Sequence, residues 1–103
     1  MITTDVEKRA SDVIKQFDRG LWKNVHTEVQ DGGTFLLIAI EAPELSPAEI
    51  DAILRQPIAL RLNEVVPSSA TQDLGSWIVV FQKGGDVFSS ILPHDSNLTA
   101  TQV

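Results

Sequence analysis

Ser46-Pro-Ala-Glu-Ile-Asp-Ala-Ile-Leu-Arg-Gln-Pro57-Ile-Ala-Leu-Arg-Leu-Asn-Glu-Val-Val66 carries a helix pattern followed, across a proline, by a strand pattern. It opens as a helix start. Ser46 suits the N-cap, Pro47 the first helical position, and Glu49 the reciprocal bond of a capping box. Ile50, Ile53 and Leu54 follow at helical spacing and predict one buried edge. Pro57 lacks an N–H, and its ring collides with the carbonyl four residues back, so it predicts the end of that helix. Gln56, before the proline, is driven toward extended backbone. Beyond it, Ile58, Leu60 and Leu62 alternate with Arg61 and Asn63, and Ile58 to Val66 reads as a strand.

Upstream, Thr34 to Ala42 predicts a strand with Phe35, Leu37 and Ala39 on one face and Leu36, Ile38 and Ile40 on the other. A strand apolar on both faces belongs in the middle of a sheet. Asp31-Gly32-Gly33 is a turn, and Trp22 to Gln30 a strand before it, with His26 and Glu28 sharing one face. The chain begins as a helix: Thr4 suits the N-cap with Glu7 three residues on. Val6, Ala10, Val13, Ile14, Phe17 and Leu21 form its apolar stripe, and Gly20 suits its end.

Downstream, 67–75 is one long loop. Ser76 to Gln82 is a strand apolar on both faces, with Trp77 in the core. Gly84-Gly85 makes a two-residue hairpin turn, and Asp86 to Leu92 is the last strand, setting Phe88 opposite Phe81. The expected architecture is α+β in the order α-β-β-α-β-β-β, a mainly antiparallel five-stranded sheet with two helices packed on it. Residues 1–92 form this single domain, and 93–103 a polar, flexible tail. Two short helices leave apolar surface on the second face of the central strands. That surplus needs another layer, sheet curl or a partner chain.

With 8 basic and 14 acidic side chains in 103 residues, the formal charge is −6, and there is no cysteine. An acidic chain lacks the basic footprint that nucleic acid or an anionic membrane requires. Absent cysteine removes disulfides, thiolate nucleophiles and cysteine-built zinc sites. No apolar run nears the roughly 20 residues of a membrane helix, and the first residues carry no secretory pattern, so the cytoplasm is the expected location. The charge is uneven. Residues 1–30 hold five bases and five acids, whereas 31–103 hold three bases and nine acids. The excess is densest at Glu41, Glu44, Glu49 and Asp51.

Motifs for phosphate binding, zinc hydrolysis, calcium loops and the serine nucleophile elbow are absent. His26 and Glu28, two apart on one strand face, are the candidate ligand-binding or hydrolytic pair, with 67–75 as a lid. The bland alternative is a solvated edge-strand face. Ser89, Ser90, His94 and Asp95 hold the residue types of a triad but nothing in the sequence orders them. The acidic run Glu41 to Asp51 is the best functional candidate, steering a basic partner, although acids also belong in a first helical turn. Trp22, beside the helix end, is the candidate apolar anchor.

The expected function is therefore a non-enzymatic acidic protein-binding module, grouped by architecture with immunity proteins, inhibitors and chaperone-like holders. It uses Glu41, Glu44, Glu49, Asp51 and Trp22, requires no cofactor or metal, and binds neither nucleic acid nor membrane. The alternatives are a small ligand-binding or hydrolytic domain at His26 and Glu28, and a purely structural homodimer subunit.

Overall fold

The computed structural model describes residues 2–18, 20–66 and 76–96. Helix α1 (Thr4–Gln16) starts one residue earlier than its capping pattern suggests. Thr3 is the N-cap, its Oγ1 accepting from Val6 N–H at 3.2 Å. Ala10, Val13 and Ile14 bury its inner stripe. Strand β1 (Asn24–Gln30) follows and pairs antiparallel with β2 (Phe35–Glu41) across a 3-10 turn, Asp31–Gly33. Gly32 and Gly33 take φ of 67° and 94° there, the left-handed region glycine tolerates. Thr27 Oγ1 donates to Glu7 Oε2 at 2.7 Å, tying α1 to β1.

The decisive departure is at Pro57. No strand forms over 58–66; α2 (Pro47–Glu49), a π-helical turn (Ile50–Leu54) and α3 (Arg55–Val65) run on from one another, with Pro57 inside α3. Arg55 N–H bonds the Ile50 carbonyl, five residues back rather than four. The widened turn lies just ahead of the proline ring and eases its collision with the preceding turn. Ile58, Ala59 and Leu62 are buried, a helical spacing, while Leu60 is 49% exposed.

That helix changes the sheet. It carries the chain from β2 across to β3 (Trp77–Lys83), and strands joined by a crossover helix lie parallel. Strand β4 (Asp86–Ile91) returns antiparallel through Gly84–Gly85. The result is a four-stranded mixed sheet, β1-β2-β3-β4, in place of five mainly antiparallel strands. A register shift at Phe81/Gln82 sets Ser89 opposite Phe81, although the Phe81 and Phe88 rings still meet at 6.5 Å.

The core lies between the helices and one sheet face, built from Leu36, Ile38 and Ile40 of β2 and Trp77, Val79 and Phe81 of β3, all fully buried. Trp77 Nε1 donates to Asn63 Oδ1 at 3.1 Å, so its polar edge is satisfied from α3. The other face presents Leu37, Ala39, Ile78 and Val80, half-buried. Among the described residues, no helix is long and apolar enough to cross a membrane. Pro93 to Ser96 form a turn held by α3: Asn63 Nδ2 donates to the Pro93 carbonyl and Gln56 Nε2 to the Ser96 carbonyl. The remaining tail, 97–103, and the 67–75 loop lie outside the described residues.

Candidate functional site

The link after α1 turns tightly: Asp18 Oδ1 accepts from Gly20 N–H at 2.8 Å, and Gly20 has a φ of 87°. This brings Leu21 and Trp22 back toward the core. Trp22 is half-buried and meets Phe81 edge-on at 6.4 Å. Its exposed part lines a groove with Phe17, Leu21, Leu45, Glu49, Ile53 and Leu54. Three chain segments therefore converge here: the end of α1, the link after β2 and the π-helical turn.

The groove is a shallow surface dent that encloses only about 10 Å3, far below the roughly 300–1,000 Å3 of small-molecule pockets. Its apolar lining can seat the tip of one apolar side chain laid against it from outside. Ile53, expected inward with Ile50 and Leu54, is instead 45% exposed. The extra residue in the π-helical turn rotates it away from the core that holds its neighbours. The sequence carried no sign of this rotation beyond Pro57 itself.

The acidic run does not act as one surface. Glu41 Oε2 accepts from Gly84 N–H at 2.6 Å and closes the β3–β4 turn against β2. Asp51 Oδ1 receives both Arg55 Nε at 2.9 Å and Nη2 at 2.7 Å. Both carboxylates are occupied. Glu49 lines the groove while serving the helix start, its N–H bonding Ser46 Oγ at 3.2 Å. Glu44 is exposed beside Leu45 and makes no ion pair or hydrogen bond among the described residues. Of the five residues expected to bind a partner, Trp22 and Glu49 share the groove, and Glu44 is adjacent in sequence to its Leu45.

His26 and Glu28 lie on the open sheet face. His26 Nε2 and Glu28 Oε1 are 3.7 Å apart, with side chains 63% and 52% exposed. Gln30 Nε2 donates to Glu28 Oε2 at 2.8 Å. That hydrogen bond, and then the neighbouring His26, hold the Glu28 carboxyl below its ordinary value. The contacts are complete within one strand and face water. Among the described residues no group of three or more His, Asp and Glu is placed to hold a metal ion.

The serine–histidine–aspartate residues are arranged around an arginine. Arg55 Nη2 donates to Ser89 Oγ at 3.2 Å, Nη1 to the Ser90 carbonyl, and Nη1 to Asp95 Oδ2 at 3.1 Å. Asp95 is buried and also accepts from Leu92 N–H at 2.8 Å. His94, 72% exposed, touches only the far oxygen of Asp95 at 3.5 Å. Arg55, not a histidine, stands between serine and aspartate, so the cluster ties helix to sheet. Partial burial alone lowers the Arg55 guanidinium; its hydrogen bonds to Asp51 and Asp95 overcome this and hold it above its ordinary value.

Compared with protein-family models, curated proteins and solved structures, the chain matches none.

Proposed function

We propose that the chain is a non-enzymatic protein-binding module whose groove between α1 and the π-helical turn receives an apolar side chain from a partner segment carrying basic residues. The observation that carries this reading is the groove's composition: six apolar residues with Glu49 as the charged member. Glu44 adds a second negative charge next to Leu45 in the chain. An apolar slot beside unneutralised acids complements a leucine- or isoleucine-bearing segment flanked by lysine or arginine. The π-helical turn adds support, because such turns recur at functional sites. Immunity, inhibitor and holding roles all use such a surface, the partner being blocked or sheltered by occupancy alone.

The test is a titration with a synthetic amphipathic peptide of leucine and lysine, followed by amide and indole NMR. The Trp22 indole and the Leu45 and Ile53 amides shift first, and the shifts weaken as salt rises. The E44Q/E49Q variant retains the cap, since glutamine also serves a capping box. Its association rate at low salt falls about two- to tenfold, and its salt dependence flattens. An association rate at low salt equal to that of the unaltered chain overturns the steering role.

A further inference from the structure

The backbone of β1 offers a second surface. In the parallel β2–β3 ladder, Leu36 N–H bonds the Ser76 carbonyl and Ala42 N–H the Gln82 carbonyl, each at 2.9 Å. The even-numbered residues of β2 thus direct their backbone groups to β3, and the odd-numbered ones to β1. Those odd residues pair with Asn24, His26, Glu28 and Gln30. The N–H and C=O groups of Val25, Thr27 and Val29 therefore point out of the sheet. β1 is an edge strand, and no hydrogen bond reaches these groups among the described residues.

Natural edges are usually blunted by proline, a bulge or charge. The β4 side has such an irregularity, at Phe81/Gln82. β1 keeps its register through all seven residues, without proline or bulge. Its polar pair, His26 and Glu28, flanks Thr27 symmetrically.

We infer that a second copy of this chain docks on the β1 edge, antiparallel and centred on Thr27, joining the two sheets into one continuous sheet about a two-fold axis. In that register Thr27 exchanges backbone hydrogen bonds with the partner's Thr27, and Val25 with the partner's Val29, using the very groups left unpaired. His26 falls opposite the partner's Glu28, and Glu28 opposite the partner's His26, at non-hydrogen-bonded positions where side chains approach closest. Moving the axis by one residue, to His26, sets His26 against the partner's His26 and Glu28 against the partner's Asn24, and discards this complementarity. A two-fold interface uses one patch twice, so the self-complementary order of imidazole and carboxylate around Thr27 fits a second copy rather than an unrelated strand.

Sedimentation equilibrium over about 5–500 μM reads the result. The unaltered chain sediments as a dimer. H26E sets like charges opposite each other at both symmetry-related positions and raises the dimer dissociation constant about tenfold or more. H26E/E28K restores opposite charges in reversed order and returns it to within about threefold. His26 is solvated, so these variants fold. T27P removes an outward N–H that the sheet does not use, together with the Thr27–Glu7 hydrogen bond, and leaves a folded monomer whose circular dichroism keeps its helix and strand content. A chain monomeric throughout the range overturns the inference. So does a dimer that survives H26E and T27P but dissociates with V80K, because it is then held by the open sheet face.

Discussion

Replacing Trp77 with alanine destabilises the domain by about 3–5 kcal/mol, a large share of the stability of a small fold, commonly about 5–15 kcal/mol. Trp77 is the largest fully buried side chain and stands in β3 opposite Leu36 of β2. Its loss removes apolar contact area and leaves a cavity that the two neighbouring layers, helix and sheet, close only in part. W77F fills most of that space but drops the bond to Asn63 Oδ1. Asn63 is exposed and turns to water, so W77F costs only about 1–2 kcal/mol. Urea unfolding measures both. A W77A midpoint within error of the unaltered chain contradicts a core centred on this residue.

Arg55 to alanine is the second large effect. The guanidinium is 18% exposed and Asp95 8% exposed. Removing the arginine leaves a buried carboxylate with the Leu92 N–H and, 3.5 Å from its other oxygen, the exposed His94, and strips a partner from Ser89 and from the Ser90 carbonyl. Breaking a buried pair from one side costs about 3–5 kcal/mol. The Asp51 end of this network is in solvent, so about 2–4 kcal/mol is expected. At roughly 4–8 °C per kcal/mol, thermal unfolding falls by about 10–30 °C. D95N together with R55A recovers about 1–3 kcal/mol of the loss. Strict additivity of the two substitutions in calorimetry refutes the coupling.

Much of the fold was legible in the sequence because period-two and helical spacings were unambiguous at several places. The apolar stripe of α1 has helical spacing, and the runs of β2 and β3, apolar on both faces, are short, β-branched and aromatic, and bounded by the two glycine turns, which fits buried strands. The segment after Pro57 did not. Ile58, Leu60 and Leu62 satisfy a strand, whereas Ile58, Ala59 and Leu62 satisfy a helix, and the choice rests on Ala59, small enough to fit either. A proline in mid-helix is normally disallowed, and the compensating Arg55-to-Ile50 bond is a property of the folded chain. From this one point follow the lost strand, the parallel β2–β3 pairing and the outward turn of Ile53.

The site was legible only in its parts. Trp22 and Glu49 were recognisable by residue type, but their meeting depends on the tight turn at Gly20 and on the packing of α1 against α3. Glu41 and Asp51 belonged to the same acidic run, and local chemistry removed them. One closes a turn through Gly84, and the other completes an arginine network that no spacing in the sequence announces. The apparent Ser89–His94–Asp95 chemistry dissolves for the same reason, since Arg55 reaches the cluster from 34 residues away at Ser89 and 40 at Asp95.

The groove is tested most directly by affinity capture from the native host with three baits in parallel: the unaltered chain, I53D and V87D. Ile53 and Val87 are exposed to similar extents, 45% and 55%, but only Ile53 lines the groove. Quantitative mass spectrometry should find a partner retained by the unaltered chain and V87D and lost from I53D. Equal recovery by all three baits contradicts a binding role for the groove.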